Sequence, residues 1–217
     1  ARNPEAVRQI FAAKGRPADN PLIVHIAKLE ELESVAVSVP ELALKLAEKF
    51  WPGPLTMILP KHPSIPVITS GGLDTVGVRM PSHPVARKLI ELSGVPIAAP
   101  SANISGYPSP TTAQHVMRDM HGKIAAVVDG GDCRVGVEST VIALEGEDSV
   151  RILRPGYVTK EMLETVVPHV TLDKAILHQL QEGQTVRSPG MKYQHYSPHA
   201  HVTLIEGRWP EFAAWVQ

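Results

Sequence analysis

The 217-residue sequence has one cysteine, few aromatic residues and no long hydrophobic run. Because Cys133 is the only cysteine, an intramolecular disulfide is excluded and a reducing, cytoplasmic setting is expected. No stretch approaches the ~18 apolar residues of a membrane helix and nothing resembles a secretory signal, so no membrane partner is expected. The net charge is only −1. Any anion site must therefore be a local cleft rather than a property of the whole surface.

Hydrophobic residues at 43% and charged residues at 20% are typical of a globular protein. Strand and helix patterns alternate irregularly, which predicts an α/β fold with an open, twisted, mixed parallel and antiparallel sheet and flanking helices. Helices are predicted at 1–14, 40–50, 83–92, 111–120, 159–166 and 173–180, and strands at 21–26, 55–59, 75–80, 95–99, 124–128, 139–144 and 150–153.

Three parts are predicted along the chain. Residues 1–167 form the main domain, and residues 168–199 read as a linker because they lack apolar periodicity and are rich in turn formers. Residues 200–217 read as the opening of a second small α/β domain, with a strand at 201–206 and a helix at 209–216. These last residues are too few for a core of their own.

Two cations flank a glycine at the end of the first helix, Lys14 and Arg16 around Gly15. Glycine lets a backbone approach a ligand, and the cations can neutralise phosphate oxygens. The alternative is that both simply favour the negative end of the helix. On this motif alone that alternative is the better one, and the spacing is not that of a P-loop.

A lone arginine, Arg79, lies near the end of the alternating strand 75–80. Burying a guanidinium without an anion is costly, which indicates a carboxylate or phosphate partner. An edge-strand arginine that points at water is an equally good interpretation.

Three further clusters stand out, two with hydroxyls and small residues and one with arginines at a strand end. The stretch 98–110 follows a small-residue strand, the polar residues 136–139 precede a strand, and 151–156 ends one. Polar loops at strand ends are where α/β sheets bind ligands. The alternative is a solvated turn at 98–110 and a solvated strand end at the other two clusters. The histidines at 195, 199 and 201 fit no zinc spacing, and no nucleophile stands out. The clusters therefore suit positioning and charge neutralisation of a nucleotide, without a metal held by protein side chains.

Taken together, these segments resemble the YrdC-like threonylcarbamoyl-AMP synthases. The resemblance rests on Lys14-Gly15-Arg16-Pro17 with Asn20-Pro21-Leu22 and His25, on the 75–81 strand, on Ser101-Ala102-Asn103 with Ser109-Pro110-Thr111, on Glu138-Ser139-Thr140-Val141 and on Arg154-Pro155-Gly156. The stretch 188–196 is similar to the interdomain linker of the longer, two-domain form. The fold implied is the YrdC-like, double-stranded-RNA-binding-like α/β twist.

The resemblance implies an L-threonylcarbamoyladenylate synthase. Such a nucleotidyltransferase forms threonylcarbamoyl-AMP and pyrophosphate from L-threonine, bicarbonate and ATP, with Mg²⁺ bound through the nucleotide phosphates. A transferase complex then moves the threonylcarbamoyl group to the adenosine at tRNA position 37, so contact with tRNA itself is expected to be weak or indirect.

The resemblance also implies roles for individual residues. Lys14 and Arg16 are the expected catalytic cations on the ATP phosphates. His25, Arg79, Ser139 and the backbone at Ala99 are expected to hold threonine. The nucleotide site is expected to comprise Lys14, Arg16, Asn20, Thr75, Ser101, Ser109 and Arg154, with Tyr193 or Tyr196 from the linker as part of a lid.

The sequence departs from the family pattern in two ways, and two alternative functions remain open. Family members begin with a strand and a loop that supply another threonine contact, and we expect this chain to lack both and to hold only the start of the C-terminal domain. One alternative is the carbamoyl-adenylate-forming domain of hydrogenase maturation proteins, although no C-x2-C pair is present. The other is a non-catalytic RNA-binding module, which the charge of −1 disfavours.

Overall fold

A computed structural model describes residues 1–177, 206–207 and 209–216. Asn3, Thr112 and Thr159 cap three of its helices by accepting hydrogen bonds from backbone N–H groups. Two helices begin at proline, Pro4 and Pro84. The bounds are α1 Pro4–Lys14, a 3₁₀ helix Leu29–Ser34, α2 Glu41–Phe50, α3 Pro84–Ser93, α4 Ala113–Met120, α5 Lys160–Glu164, α6 Lys174–Leu177 and α7 Trp209–Val216.

The described residues contain a seven-stranded sheet in the order β4-β1-β3-β2-β5-β6-β7. The pairs β1–β3, β2–β5 and β6–β7 are parallel, and β1–β4, β2–β3 and β5–β6 are antiparallel. The predicted mixed sheet is therefore confirmed. The strands are β1 Ile23–His25, β2 Leu55–Pro60, β3 Thr75–Arg79, β4 Ile97–Ala98, β5 Thr140–Leu144, β6 Ser149–Arg154 and β7 His169–Leu172.

One predicted strand is wrong and one was missed. Residues 124–128 form no strand, and Ile124 and Val128 are 40% and 65% exposed. A short apolar run does not by itself specify a strand when no sheet edge receives it. Conversely, β7 lies inside the segment predicted as linker and pairs with β6. Only Val170 of β7 is buried, so the strand carries almost no hydrophobic pattern.

The boundaries of the three predicted parts stay predictions, and the strand expected at 201–206 falls almost wholly outside the described residues.

The main core lies between the sheet and α2. Ala43 and Leu46 on α2 are fully buried, as are Met57, Val78 and Ile142 on the central strands. Each of the larger side chains contributes about 1.5–3 kcal/mol to folding through removal of its apolar surface from water, and Ala43 contributes less. This packing holds the central strands in register, so the groups at their ends have fixed positions.

The sheet topology brings the ends of several strands together at one edge of the sheet, where these strands begin or end. Because β3 runs antiparallel to β2 and β6 runs antiparallel to β5, the ends of β3 and β6 lie beside the starts of β2 and β5.

Among the described helices, none is long and apolar enough to span a membrane.

Candidate functional site

The strand ends at this edge enclose a cavity of about 250 Å³. It is bounded by the end of α1, the ends of β1, β3 and β6, the start of β5 and the loop that follows β4. The predicted site residues that line it are Lys14, Arg16, His25, Arg79, Ala99, Ser101, Ser109, Ser139 and Arg154.

Arg79 and His25 lie at paired positions on the parallel strands β3 and β1. Among the described residues, only Nε of Arg79 is engaged, donating to the Gly53 carbonyl at 3.1 Å. Its two terminal nitrogens donate to no described group. Burial, and then the nearby Arg154, lower the pKa of Arg79, yet a guanidinium stays charged at any physiological pH. A fixed guanidinium fork with unused donors is a site for a carboxylate.

His25 has a neutral ring at pH 7. Burial, and then the charge of Arg79, lower its pKa from 6.5 to about 4. Its Nδ1 is buried and makes no well-formed hydrogen bond among the described residues, while the backbone at Ile97 and Ile23 lies close enough to the ring to oppose part of the fall in pKa. His25 also lines the cavity beside Arg79, and this position favours a ligand contact over a core histidine.

Arg154 organises the opposite wall through contacts with two residues, Glu138 and Ser139. Its Nη1 pairs with Glu138 Oε2 at 2.8 Å. Nε and Nη2 donate to the Ser139 carbonyl, and Nη2 also donates to Ser139 Oγ at 3.0 Å. Glu138 in turn accepts a hydrogen bond from the Ser109 hydroxyl at 2.8 Å. The predicted nucleotide residues Ser109 and Arg154 are thus joined through one carboxylate.

Lys14 anchors the loop that follows β4. Its side chain is buried, and Nζ donates to the Ser101 carbonyl at 2.5 Å and to the Asn103 carbonyl. Burial, and then the charge of Arg16, lower the pKa of Lys14 to about 8. The ammonium therefore fixes the cavity wall at Ser101 as well as contributing positive charge.

The end of α1 explains how Lys14 and Arg16 reach the same cavity. Gly15 adopts a left-handed conformation with φ of 60°, and its N–H and that of Arg16 donate to carbonyls of the last turn. This cap turns the chain so that residues on both sides of the glycine face the site. Arg16 Nη2 then donates to Asn20 Oδ1 at 2.7 Å and to the Pro21 carbonyl at 2.9 Å.

Four predicted residues do not lie on the described cavity wall. Asn20 is buried behind Arg16 and holds its guanidinium. Thr75 begins β3, four residues from Arg79, a separation of about 13 Å along a strand. It pairs with Pro60 at the far end of β2. Tyr193 and Tyr196 fall outside the described residues, so their lid role stays a prediction.

Sequence reasoning missed Glu138, Asn103 and Tyr107 as cavity residues. Asn103 is buried, and its amide nitrogen donates to the carbonyls of Ile104 and Tyr107. Glu138 is adjacent to the predicted site residue Ser139, and Asn103 is two residues from Ser101, both within the quoted motifs. The signal was present in the motifs, but only packing shows which neighbour faces the cavity.

The cavity suits a polyanion beside an amino acid. Among the described residues, four cationic side chains line it against one carboxylate, Glu138. Among residues 1–177, 206–207 and 209–216, no cluster of three or more metal-ligating side chains is found. The cationic side chains of the cavity can neutralise and orient charged substrates.

Residues 1–156 match the Sua5–YciO–YrdC family, described as "Telomere recombination", and residues 158–214 match the threonylcarbamoyl-AMP synthase C-terminal domain. The chain belongs to the Sua5–YciO–YrdC family. It is 55% identical to a threonylcarbamoyl-AMP synthase of Pyrococcus abyssi, over 95% of this chain and 60% of that protein. It is 51% identical to one of Bacillus subtilis, over 95% of this chain and 59% of that protein.

The fold is likewise that of solved family members. The crystal structure of P. abyssi Sua5 complexed with L-threonine superposes with a TM-score of 0.94 at 52% identity, covering 100% of this chain and 63% of that one. The chain therefore spans less than two thirds of the length of these relatives.

Proposed function

We propose that this chain carries the substrate-binding and adenylate-forming site of an L-threonylcarbamoyladenylate synthase. L-Threonine, bicarbonate and ATP would give threonylcarbamoyl-AMP, pyrophosphate and water. The family membership and the 55% identity to a threonylcarbamoyl-AMP synthase support this reaction over carbamoyl-adenylate formation.

The observation that carries the proposal is the pair of unused terminal nitrogens on Arg79, beside neutral His25 in a cationic cavity. A cleft that bound only a polyphosphate would not need a separate guanidinium fork next to an uncharged imidazole. The threonine carboxylate fits the fork, and His25, Ser139 and the backbone of Ala99 complete its surroundings. The threonine found with P. abyssi Sua5 supports the same assignment.

The reaction needs positioning and charge neutralisation more than a protein nucleophile. The carboxylate of N-carboxythreonine attacks the α-phosphorus of ATP, the bond to the β-phosphate oxygen breaks, and pyrophosphate leaves with the electron pair. Lys14 and Arg16, with Arg154, are placed to offset the negative charge of the phosphates. Ser101 also lines the cavity, and its hydroxyl can donate to a phosphate or ribose oxygen. The Ser109 proton is already donated to Glu138, so Ser109 can only accept from the nucleotide.

Mg²⁺ would enter with the nucleotide. Glu138 is the one carboxylate on the cavity wall in the part of the chain that the structure describes, and it is paired with Arg154 and Ser109. This fits a cation that is held mainly by phosphate oxygens and water, as Mg²⁺ commonly is. Mg²⁺ would supply further neutralisation of the triphosphate.

The product is a reactive mixed anhydride, so a second enzyme must consume it. We infer that its partner is the complex that transfers threonylcarbamoyl to adenosine 37 of tRNA. The cytoplasmic location expected from the single cysteine stays a prediction.

The direct test is mass-spectrometric detection of threonylcarbamoyl adenylate after incubation with ATP, bicarbonate and L-threonine. Isotopically labelled bicarbonate should appear in the adenylate, and pyrophosphate should form in equal amount. Carbamoyl phosphate in place of threonine and bicarbonate tests the hydrogenase-maturation alternative. Product with carbamoyl phosphate and none with threonine would overturn the proposal.

A further inference from the structure

A buried threonine behind the cavity wall contacts the substrate-facing serine. Thr56 lies on β2 and is fully buried, opposite Val141 of β5. Its Oγ1 is 2.9 Å from Oγ of Ser139. Among the described residues, Ser139 is the only hydrogen-bond partner of the Thr56 side chain.

The Ser139 hydroxyl has a second fixed neighbour. Arg154 Nη2 lies 3.0 Å from Ser139 Oγ, and a guanidinium can only donate. A serine hydroxyl has one proton and two lone pairs. Arg154 occupies one lone pair, so the contact with Thr56 takes either the other lone pair or the proton.

Burial decides between these two arrangements. If Ser139 donated to Thr56, the proton of the Thr56 hydroxyl would be buried with no acceptor, which is a costly arrangement. If Thr56 donates to Ser139, that proton is satisfied and both lone pairs of Ser139 are filled. The Ser139 proton is then the one hydrogen-bonding element left for the cavity that this residue lines.

We propose that Thr56 is a positioning residue that makes Ser139 an obligatory hydrogen-bond donor toward the substrate. The substrate atom at Ser139 must then accept, which selects the carboxylate of the amino acid over its ammonium group. Arg79 supplies the charge for that carboxylate, and Ser139 fixes its orientation. This inference rests on the proposed function, since it deepens the threonine site.

The test is a series at position 56 with threonine affinity measured by calorimetry. Thr56→Val keeps the shape but removes the donor, and should weaken threonine binding about three- to tenfold. Thr56→Ser keeps the hydroxyl and should restore affinity to within about twofold, while Thr56→Cys, a weak donor, should fall between them. The affinity for ATP should be the same in all variants.

A cycle with Ser139→Ala separates positioning from a general structural effect. Thr56 acts through Ser139, so Thr56→Val should have no further effect on threonine affinity once Ser139 is alanine. Melting temperatures confirm that each variant is folded, and if the valine variant is not, the serine and cysteine variants still give the expected order.

The outcomes distinguish this inference from the function on which it rests. Absence of threonine binding by the unmodified chain would contradict the proposed function. Either of two results would overturn the role of Thr56 alone. One is that Thr56→Val leaves threonine affinity unchanged. The other is that it weakens the affinity by the same factor whether residue 139 is serine or alanine.

Discussion

At the scale of single residues, the site depends on side chains whose polar groups are only partly used inside the protein. Arg79 is held by Nε alone among the described residues, and His25 has a buried Nδ1 without a partner there. Both sit at the paired ends of β1 and β3. The terminal nitrogens of Arg79, which donate to no described group, are what a substrate can satisfy.

Replacing Arg79 by alanine should abolish most threonine binding. A hydrogen bond to a charged group contributes about 1.5–3 kcal/mol, so the dissociation constant should rise at least tenfold. Arg79→Lys is the matched control, since it keeps the charge but loses the planar fork, and its affinity should be intermediate. Calorimetry with L-threonine measures both, and unchanged affinity in Arg79→Ala would remove it from the threonine site.

His25 should make the protein less stable in acid. Its pKa is 6.5 in an unperturbed chain and about 4 in the folded protein, so between these values the unfolded chain binds more protons. The free energy of unfolding should therefore fall as the pH drops through this window, by on the order of 3 kcal/mol once both states are protonated.

Urea unfolding across that pH range, compared between the unmodified chain and His25→Gln, isolates this contribution. The difference in unfolding free energy between the two should shrink or reverse toward low pH, because glutamine does not titrate. A constant difference at every pH would show that His25 is not held neutral.

At the scale of elements, the backbone after β6 fixes the position of Glu138 and Ser139. A Cβ added at Gly156 would lie 2.3 Å from the Glu138 carbonyl oxygen and 2.6 Å from the Thr140 nitrogen. Only glycine permits this close approach of two backbone segments. The Arg154-Pro155-Gly156 motif therefore combines a cation with the packing that places its partners.

Gly156→Ala should displace residues 138–140 and weaken the binding of both substrates. Since backbone atoms must move, a stability loss of about 1–3 kcal/mol is expected. Gly136→Ala is the matched control, because a Cβ there meets nothing within 4 Å. Urea unfolding and calorimetry with ATP and threonine test the pair, and equal behaviour of the two variants would contradict this account.

At the scale of the whole molecule, positive charge is concentrated in one cavity of a chain whose net charge is −1. Such a distribution favours a small anion over a long polyanion, because RNA affinity depends on many phosphate contacts across a surface. This is the physical reason to expect only weak or indirect contact with tRNA.

Mobility-shift titration with tRNA and no nucleotide should show no complex below about 10 µM at ~0.15 M salt, a range typical of non-specific binding. Under the same conditions ATP should bind, and threonine should change its affinity. A tight, salt-sensitive tRNA complex without nucleotide would instead support the RNA-binding module.

The sequence alone determined the elements and the motifs. Apolar spacing and end signals predicted α1, α2 and most strands, because these patterns follow from the geometry of the backbone. It failed at residues 124–128 and at β7, where strand formation depends on whether a neighbouring strand offers free hydrogen-bonding groups. It also left Arg79 between an anion-bound and a solvent-facing interpretation.

The tertiary structure decided which polar groups face one another. The antiparallel pairing of β3 with β2 and of β6 with β5 brought Arg79, Ser139 and Arg154 to one cavity and left Thr75 at the other end of its strand. It also placed Glu138 against Arg154 and Thr56 behind Ser139. These contacts join residues far apart in sequence, so they depend on strand order and register, which local patterns do not encode.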